Sequence, residues 1–476
     1  MYSSESFRNS AFCRLQKIFK QMKPSIPKGT RDFGPSEVNK RNFIFNIIRE
    51  VFVRYGYQPI ETPTMENLNT LTGKYGEEGD KLLFKVLNNG NFLAKANEEA
   101  LNERNSSKLV SSISKRGLRY DLTVPFARFV VMNQNDIAFP FKRYQIQPVW
   151  RADRPQKGRY QEFYQCDVDV VGSNSLSYEA ELTQIYDEVF AALGIKVVIK
   201  INNRKILAGI AEIAGISDQL VSMTVAIDKL DKIGPDGVKK EMLGRGIPEA
   251  SVTKIVEILA ITDLNALEDQ LSASEAGRKG IEELKTVFEY FAPKDAQNTV
   301  QFDITLARGL SYYTGCIFEV VVDRSVESQS QIVMGSIGGG GRYDDLTGIF
   351  GLKNMSGVGV SFGAARIFDV MQELNLFPEK DASELQVLFI AFDERAHRYA
   401  FKCLTKVRAA GINAELYPDP VKLKKQMKYA NARNVPNVIL IGDSEMENGQ
   451  LSLKDMNEGS QEQLTIEAII ERLQGK

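Results

Sequence analysis

Arginines, acids and tyrosines fall along this chain in groups suited to gripping a small molecule that carries charges of both signs. The densest group is Tyr144–Gly172, YQIQPVWRADRPQKGRYQEFYQCDVDVVG. Two runs alternate in the strand manner, Tyr144–Trp150 and Tyr160–Val171, around a basic tip from Arg151 to Arg159. A turn centred near Gln156 sets Gln147 across from Gln165 and Arg151 across from Gln161. One face then carries Gln145, Gln147, Arg151, Phe163, Gln165, Asp167 and Asp169. Such a face is costly to cover unless each group finds a partner, and a ligand with cationic and anionic parts is a natural one. Arg151 can hold a phosphate or carboxylate through two parallel N–H bonds. Asp169 and Gln165 can take an ammonium or a ring N–H. Arg154, Lys157 and Arg159 can reach a polyanion beyond the pocket. The same spacing also describes an edge hairpin with a solvated basic tip.

Three further groups could join this chemistry. In GLRYDLTVPFARFV a strand passes into a helix, and Asp121 or Thr123 can cap it. In FDITLARGLSYYTGCIFEVVV two strands flank a bend holding Arg308, Tyr312 and Tyr313, which suits an anion site beside an aromatic wall. A core aromatic pair with a snorkelling arginine fits the bend equally. In SGVGVSFGAARIFDVM a strand of small residues enters a helix near Ala364, with Arg366 in its first turn at the positive end of the helix dipole. MGSIGGGGRYDDL has four consecutive glycines, whose backbone N–H groups are expected to stay free for close approach to a ligand. It is neither a dinucleotide fingerprint nor a phosphate-binding loop ending in Gly-Lys-Ser/Thr.

The elements that must position these groups read as follows. The chain has 476 residues, enough for about two to four domains. Hydrophobic residues at 43% and charged residues at 25% are ordinary for a globular protein, and no apolar run is long enough to span a membrane. The net charge is −1, so nucleic-acid binding would need local basic patches. Cys13, Cys166, Cys316 and Cys403 have no metal-ligand spacing, and a reducing compartment such as the cytoplasm fits them. The single histidine, His397, reads as a surface residue at a helix start, so a histidine metal site or Ser-His-Asp triad is nearly excluded. Residues 1–21 read as an extension, either a short transit peptide or, by preference, a disordered segment ahead of a start at Met22. Ser36–Tyr55 has helical periodicity, with Val38, Phe43, Ile47, Ile48, Val51 and Phe52 on one face. Leu82–Asn97 and Gly117–Thr123 read as short strands. Residues from about 204 to 299 read as a helical module broken at Gly234-Pro235, with nothing catalytic in it. After a polar linker, the remainder alternates strand and helix as a small α/β domain. Its Lys422, Lys424, Lys425 and Lys428 form a basic face.

The order of these motifs resembles the class II aminoacyl-tRNA synthetases, and most of all the histidyl-tRNA synthetase family. WRADRPQKGRYQEFYQCDVD is similar to motif 2, the helix and strand through Pro63 to motif 1, and GAARIF to motif 3. RGLSYY and GGGRYD (Gly339 to Asp344) resemble the two histidine-specific motifs. The resemblance implies an α+β catalytic core on a mainly antiparallel sheet at 22–376, a helical insertion at about 204–299 and an anticodon-binding α/β domain at 384–476. It implies histidine activation by ATP, with Mg²⁺ held mainly by phosphates and water, followed by transfer to the 3′ end of tRNA(His). It implies Arg151 and Arg308 as catalytic residues. Asp121, Leu122, Thr123, Arg151, Gln165, Asp169, Arg308, Tyr312 and Tyr313 would bind histidine. Arg151, Arg154, Arg159 and Arg366 would bind ATP. A cytoplasmic homodimer is also implied. Ser311 replaces the usual Asp or Asn, and Ala365 the usual acid before the motif 3 arginine. These departures favour the alternative of a catalytically impaired paralogue that senses histidine or tRNA.

Overall fold

The computed structural model describes residues 23–72, 76–307, 312–378 and 385–475. The N-terminal extension, Arg308 and Ser311 lie outside the described residues. Chain contacts gather into two compact units, one ending at Phe377 and one beginning at Pro378.

The first unit is built on an eight-stranded sheet. Its strands in chain order are β1 (Gln58–Pro59), β2 (Phe141–Trp150), β3 (Glu162–Val171), β4 (Val197–Asn203), β5 (Thr299–Phe302), β6 (Cys316–Val322), β7 (Gly338–Tyr343) and β8 (Gly357–Gly363). Across the sheet the order is β1-β2-β3-β8-β7-β6-β4-β5. All pairs are antiparallel except β1 with β2 and β4 with β5, one at each edge. Pro59 is tolerated because β1 is an edge strand, where a missing N–H breaks no ladder on the open side.

The hairpin of β2 and β3 has the register that its turn residues predict. Gln147 faces Gln165, and the Arg151 N–H donates to the Gln161 carbonyl at 3.0 Å. Continued along the strands, the same register sets Arg143 opposite Asp169.

The glycine run behaves differently from expectation. Gly338–Gly341 form the middle of β7, laddered to β6 on one side and β8 on the other, so their backbone groups are committed to the sheet. Packing demands glycine here. A Cβ on Gly340 would stand 2.2 Å from the Gly359 carbonyl, and one on Gly341 2.8 Å from the Cys316 carbonyl.

Helices cover one face of the sheet. α1 (Pro35–Arg54) buries Ile44, Phe45, Ile48, Val51 and Phe52, while Val38, expected inside, is 38% exposed. α2 (Thr123–Met132) follows the Asp121 turn and lies on the other face, its Phe126 against Phe141 and Arg143. α3 (Ser177–Ala192) buries Leu182, Ile185, Tyr186, Val189 and Phe190, and Tyr186 donates its hydroxyl to the Ser361 carbonyl at 3.0 Å. α4 (Ala364–Glu373) buries Ile367, Phe368, Val370 and Met371. Phe52, Tyr144, Tyr186, Phe190 and Phe362 lock this layer through ring contacts.

Of the strands expected at 82–97 and 117–123, only Lys85–Val86 and Arg116–Leu118 form, in a small sheet with Met65–Asn67. The polar run between them makes two short helices instead. Each begins at an asparagine, Asn97 or Asn105, whose side chain accepts an N–H of its own first turn.

Residues 204–290 are helical, with the chain kinked at Gly234, where φ is +67°, just before Pro235. The second unit has a five-stranded sheet and flanking helices. His397 there is half-buried, its Nε2 3.2 Å from the Tyr417 carbonyl oxygen. Among the described residues no helix is long and apolar enough to cross a membrane.

Candidate active site

The polar face of the hairpin rests on a buried layer before it meets any cavity. Arg119 is fully buried; its Nε donates to the Pro148 carbonyl at 2.8 Å, and its Nη1 to the Thr62 carbonyl at 2.6 Å and to Gln147 Oε1 at 3.0 Å. Gln145 Nε2 donates to Thr62 Oγ1 at 2.9 Å. Gln145 and Gln147 therefore satisfy protein groups, and neither lines a cavity. Arg143 is likewise buried, 4.2 Å over the Phe126 ring. Its Nη2 lies 2.7 Å from Asp169 Oδ2, in ion-pair contact though not aligned as a hydrogen bond.

Two cavities open on this support. The first, about 300 Å³, is lined by Asp121, Thr123, Arg151, Gln165, Asp167 and Asp169 from one side. Tyr312, Tyr313, Glu319 and Tyr343 line the other, above the bare backbone of Gly339 and Gly340. The second, about 490 Å³, is lined by Tyr120, Arg151, Asp153, Arg159, Tyr160, Phe163, Ala365 and Arg366. Arg151, Gln165, Ser336, Gly339 and Ser361 border both.

Arg151 sits at the junction. Its Nε donates to the Tyr120 carbonyl at 3.1 Å, and its guanidinium lies 4.2 Å from the Tyr120 ring and 5.2 Å from Phe163. The rings fix the plane of the guanidinium, and its charge has no carboxylate in ion-pair contact among the described residues. That combination suits an incoming anion.

The first cavity is strongly acidic. Asp121 Oδ1 accepts the Val124 N–H at 3.1 Å, capping α2, and Tyr312 donates its hydroxyl to Asp121 Oδ2 at 3.3 Å. Asp169 Oδ1 accepts the Tyr343 hydroxyl at 2.7 Å. Burial pushes the Asp169 carboxyl up, with Arg143 opposing it. Burial also pushes Asp167 up, to about 7, against the pull of Arg143 and with the help of the neighbouring Asp169.

The second cavity is floored by the hairpin loop docked on α4. Arg366 Nε donates to the Gly158 carbonyl at 2.7 Å, and its Nη1 to the Ser336 carbonyl. Tyr160 donates to Asp369 at 2.7 Å, and Lys157 pairs with Glu373 at 2.6 Å. Ala365 stands at the rim, where an acid was expected.

Of the residues singled out from sequence, Asp121, Thr123, Arg151, Gln165, Asp169, Tyr312 and Tyr313 thus converge on the first cavity, and Arg151, Arg159 and Arg366 on the second. Leu122 is fully buried and lines neither, and Arg154 is exposed and lines neither. Arg308 falls outside the described residues. Sequence reasoning overlooked Arg143, Tyr343, Ser361 and Glu319 as parts of the site. For Arg143 the signal was present, because the hairpin register puts it opposite Asp169. For Glu319 none was, since only the sheet order brings β6 beside β7.

Comparison with known proteins agrees with this arrangement. A family model described as histidyl-tRNA synthetase matches residues 29–94 and 90–367, and one for an anticodon-binding domain matches 386–476. The chain is 56% identical over 453 residues to a histidine–tRNA ligase of Bacteroides fragilis, covering 94% of this chain and 98% of the relative. It is 56% identical over 449 residues to one of Christiangramia forsetii, covering 93% and 97%. The crystal structure of a histidyl-tRNA synthetase from a Nostoc species superposes with a TM-score of 0.77 at 30% identity, covering 96% of this chain and all of that one. Motif order, sheet topology and near full-length similarity converge: the chain belongs to the histidyl-tRNA synthetase family.

Proposed function

We infer that this protein is a histidine–tRNA ligase that works without a protein nucleophile. A carboxylate oxygen of histidine attacks the α-phosphorus of ATP, the bond to the bridging oxygen breaks, and pyrophosphate leaves. A ribose hydroxyl of the 3′-terminal adenosine of tRNA(His) then attacks the acyl carbon, and AMP leaves. Both steps need positioning and neutralisation of charge on the phosphates. The observation that carries the reading is the shared border: Arg151, with no carboxylate in ion-pair contact among the described residues, stands between an acid-lined cavity and an arginine-lined one.

In this reading Arg151 and Arg308 hold the α-phosphate and the reacting carboxylate. Asp121, Thr123, Gln165 and Asp169 fix the ammonium and the imidazole, with Leu122 beneath them and Tyr312 and Tyr313 as the wall. Arg366, Arg154 and Arg159 hold the base and outer phosphates of ATP. Mg²⁺ would be held mainly by the ATP phosphates and water, and would neutralise phosphate charge. Asp153, among the described residues the carboxylate that lines the nucleotide side, fits this, since Mg²⁺ is commonly held by one or two carboxylates plus substrate phosphates. The unit from Pro378 onward would read the anticodon. A homodimer follows the family pattern, and a cytoplasmic location fits the free, buried Cys166, Cys316 and Cys403.

Histidine-dependent exchange of pyrophosphate into ATP, followed by charging of tRNA(His), tests the reading. Exchange that ignores histidine would sink it. For Arg308, an alanine variant with undiminished exchange would remove it from the mechanism.

A further inference from the structure

We propose that Asp167 pairs with a protonated nitrogen of the bound amino acid and is a specificity-determining residue of the first cavity. The proposal rests on the histidine reading above and adds a residue of the hairpin to which the resemblance assigned no role.

Asp169 has both oxygens occupied, Oδ1 by the Tyr343 hydroxyl at 2.7 Å and Oδ2 by Arg143 at 2.7 Å. Its carboxylate lies flat against the sheet, where a Cβ on Gly359 would come within 1.9 Å of Oδ1. Its charge is therefore balanced from inside the protein. Asp167 is not balanced in this way. It is 2% exposed and borders the cavity, yet the groups that donate to it are neutral: Gln165 Nε2 at 3.4 Å and the Ser361 hydroxyl. No lysine or arginine head lies within ion-pair distance of it among the described residues. A carboxylate held dry with no cation in contact, only the more distant pull of Arg143, is in an unfavourable state, and a ligand cation would relieve it.

The sheet aims Asp167 at the ligand space. In register across five strands stand Gln145, Asp167, Ser361, Gly339 and Glu319. Gln145 is turned into the Arg119 layer and Gly339 has no side chain. The row is thus open between Asp167 with Ser361 on one side and Glu319 on the other. A small cation lying over Gly339 meets Asp167 across the bare backbone of that strand.

The test is steady-state pyrophosphate exchange with Asp167→Asn and, as a second neutral variant, Asp167→Ser. Thermal midpoints and the KM for ATP report whether each remains intact. The expected result is a rise in the histidine KM of about tenfold or more, with the ATP KM within about twofold and kcat little changed. Asp167→Glu should recover part of the loss. Triazolylalanine, whose ring is far less basic than imidazole, locates the contact. A histidine preference that narrows in the Asn variant assigns the ring, and one that persists assigns the ammonium. A histidine KM that stays within about twofold in a folded neutral variant overturns the proposal while leaving the ligase reading intact. Failure of both variants to fold would assign Asp167 to the scaffold and overturn it too. Absence of histidine-dependent exchange in the unsubstituted protein would overturn the ligase reading and this proposal together.

Discussion

At the scale of single residues, Arg151 is held by an N–H bond to Tyr120 and by two rings, leaving its outer nitrogens for a ligand. Arg151→Ala should lower pyrophosphate exchange by about 10² or more, as loss of one preorganised donor does. Arg143 acts differently. Arg143→Met would leave Asp169 buried without its counter-charge, and stability should fall by about 3–5 kcal/mol, read from urea denaturation. Asp167 makes stability depend on pH. Its folded value of about 7 lies above the ordinary unfolded value near 3.9, so the folded state holds the extra proton between these limits. Its contribution is therefore most unfavourable above pH 7 and is relieved as pH falls toward 4. The melting temperature of Asp167→Asn relative to the unsubstituted protein should be higher at pH 8 than at pH 5, and a difference independent of pH would contradict this. The chemistry-bearing residues were largely legible in sequence because side-chain type and period-two spacing are local properties. The buried layer was not. Gln145 and Gln147 share the face of Arg151, and only the fold shows that Arg119 and Thr62 claim them.

At the scale of elements, the β2–β3 hairpin was readable because a turn near Gln156 fixes every pairing along both strands. The glycine strand was not. A glycine run has low strand propensity, and what makes β7 a strand is pairing on both sides with β6 and β8, the strands before and after it in the chain. Gly340→Ala should therefore destabilise the protein by about 1–3 kcal/mol, because the added methyl meets backbone at 2.2 Å that cannot swing aside. A denaturation midpoint unchanged by that substitution would refute the account. The short helices at 98–113 were missed because the segment reads as a polar run, and two asparagine caps are what start them.

At the scale of the molecule, the division into two units separates activation from tRNA reading in the proposed function. Lys422, Lys424, Lys425 and Lys428 are all exposed. Replacing Lys424, Lys425 and Lys428 with glutamate should raise the KM for tRNA(His) in aminoacylation, most at low salt, and leave pyrophosphate exchange unchanged. Equal loss in both assays would refute that division of labour. Most neighbouring strands of the large sheet are consecutive in the chain, and what had no signal there was the pairing of β3 with β8 and of β6 with β4, which long crossovers hide.

The bare backbone of Gly339 has a last consequence for catalysis as proposed here. With glycine rather than a larger side chain on the strand beneath the shared border, the mixed anhydride forms lying across both chambers and need not travel before it is handed on. A labile product that never leaves its birthplace gives water little time to destroy it.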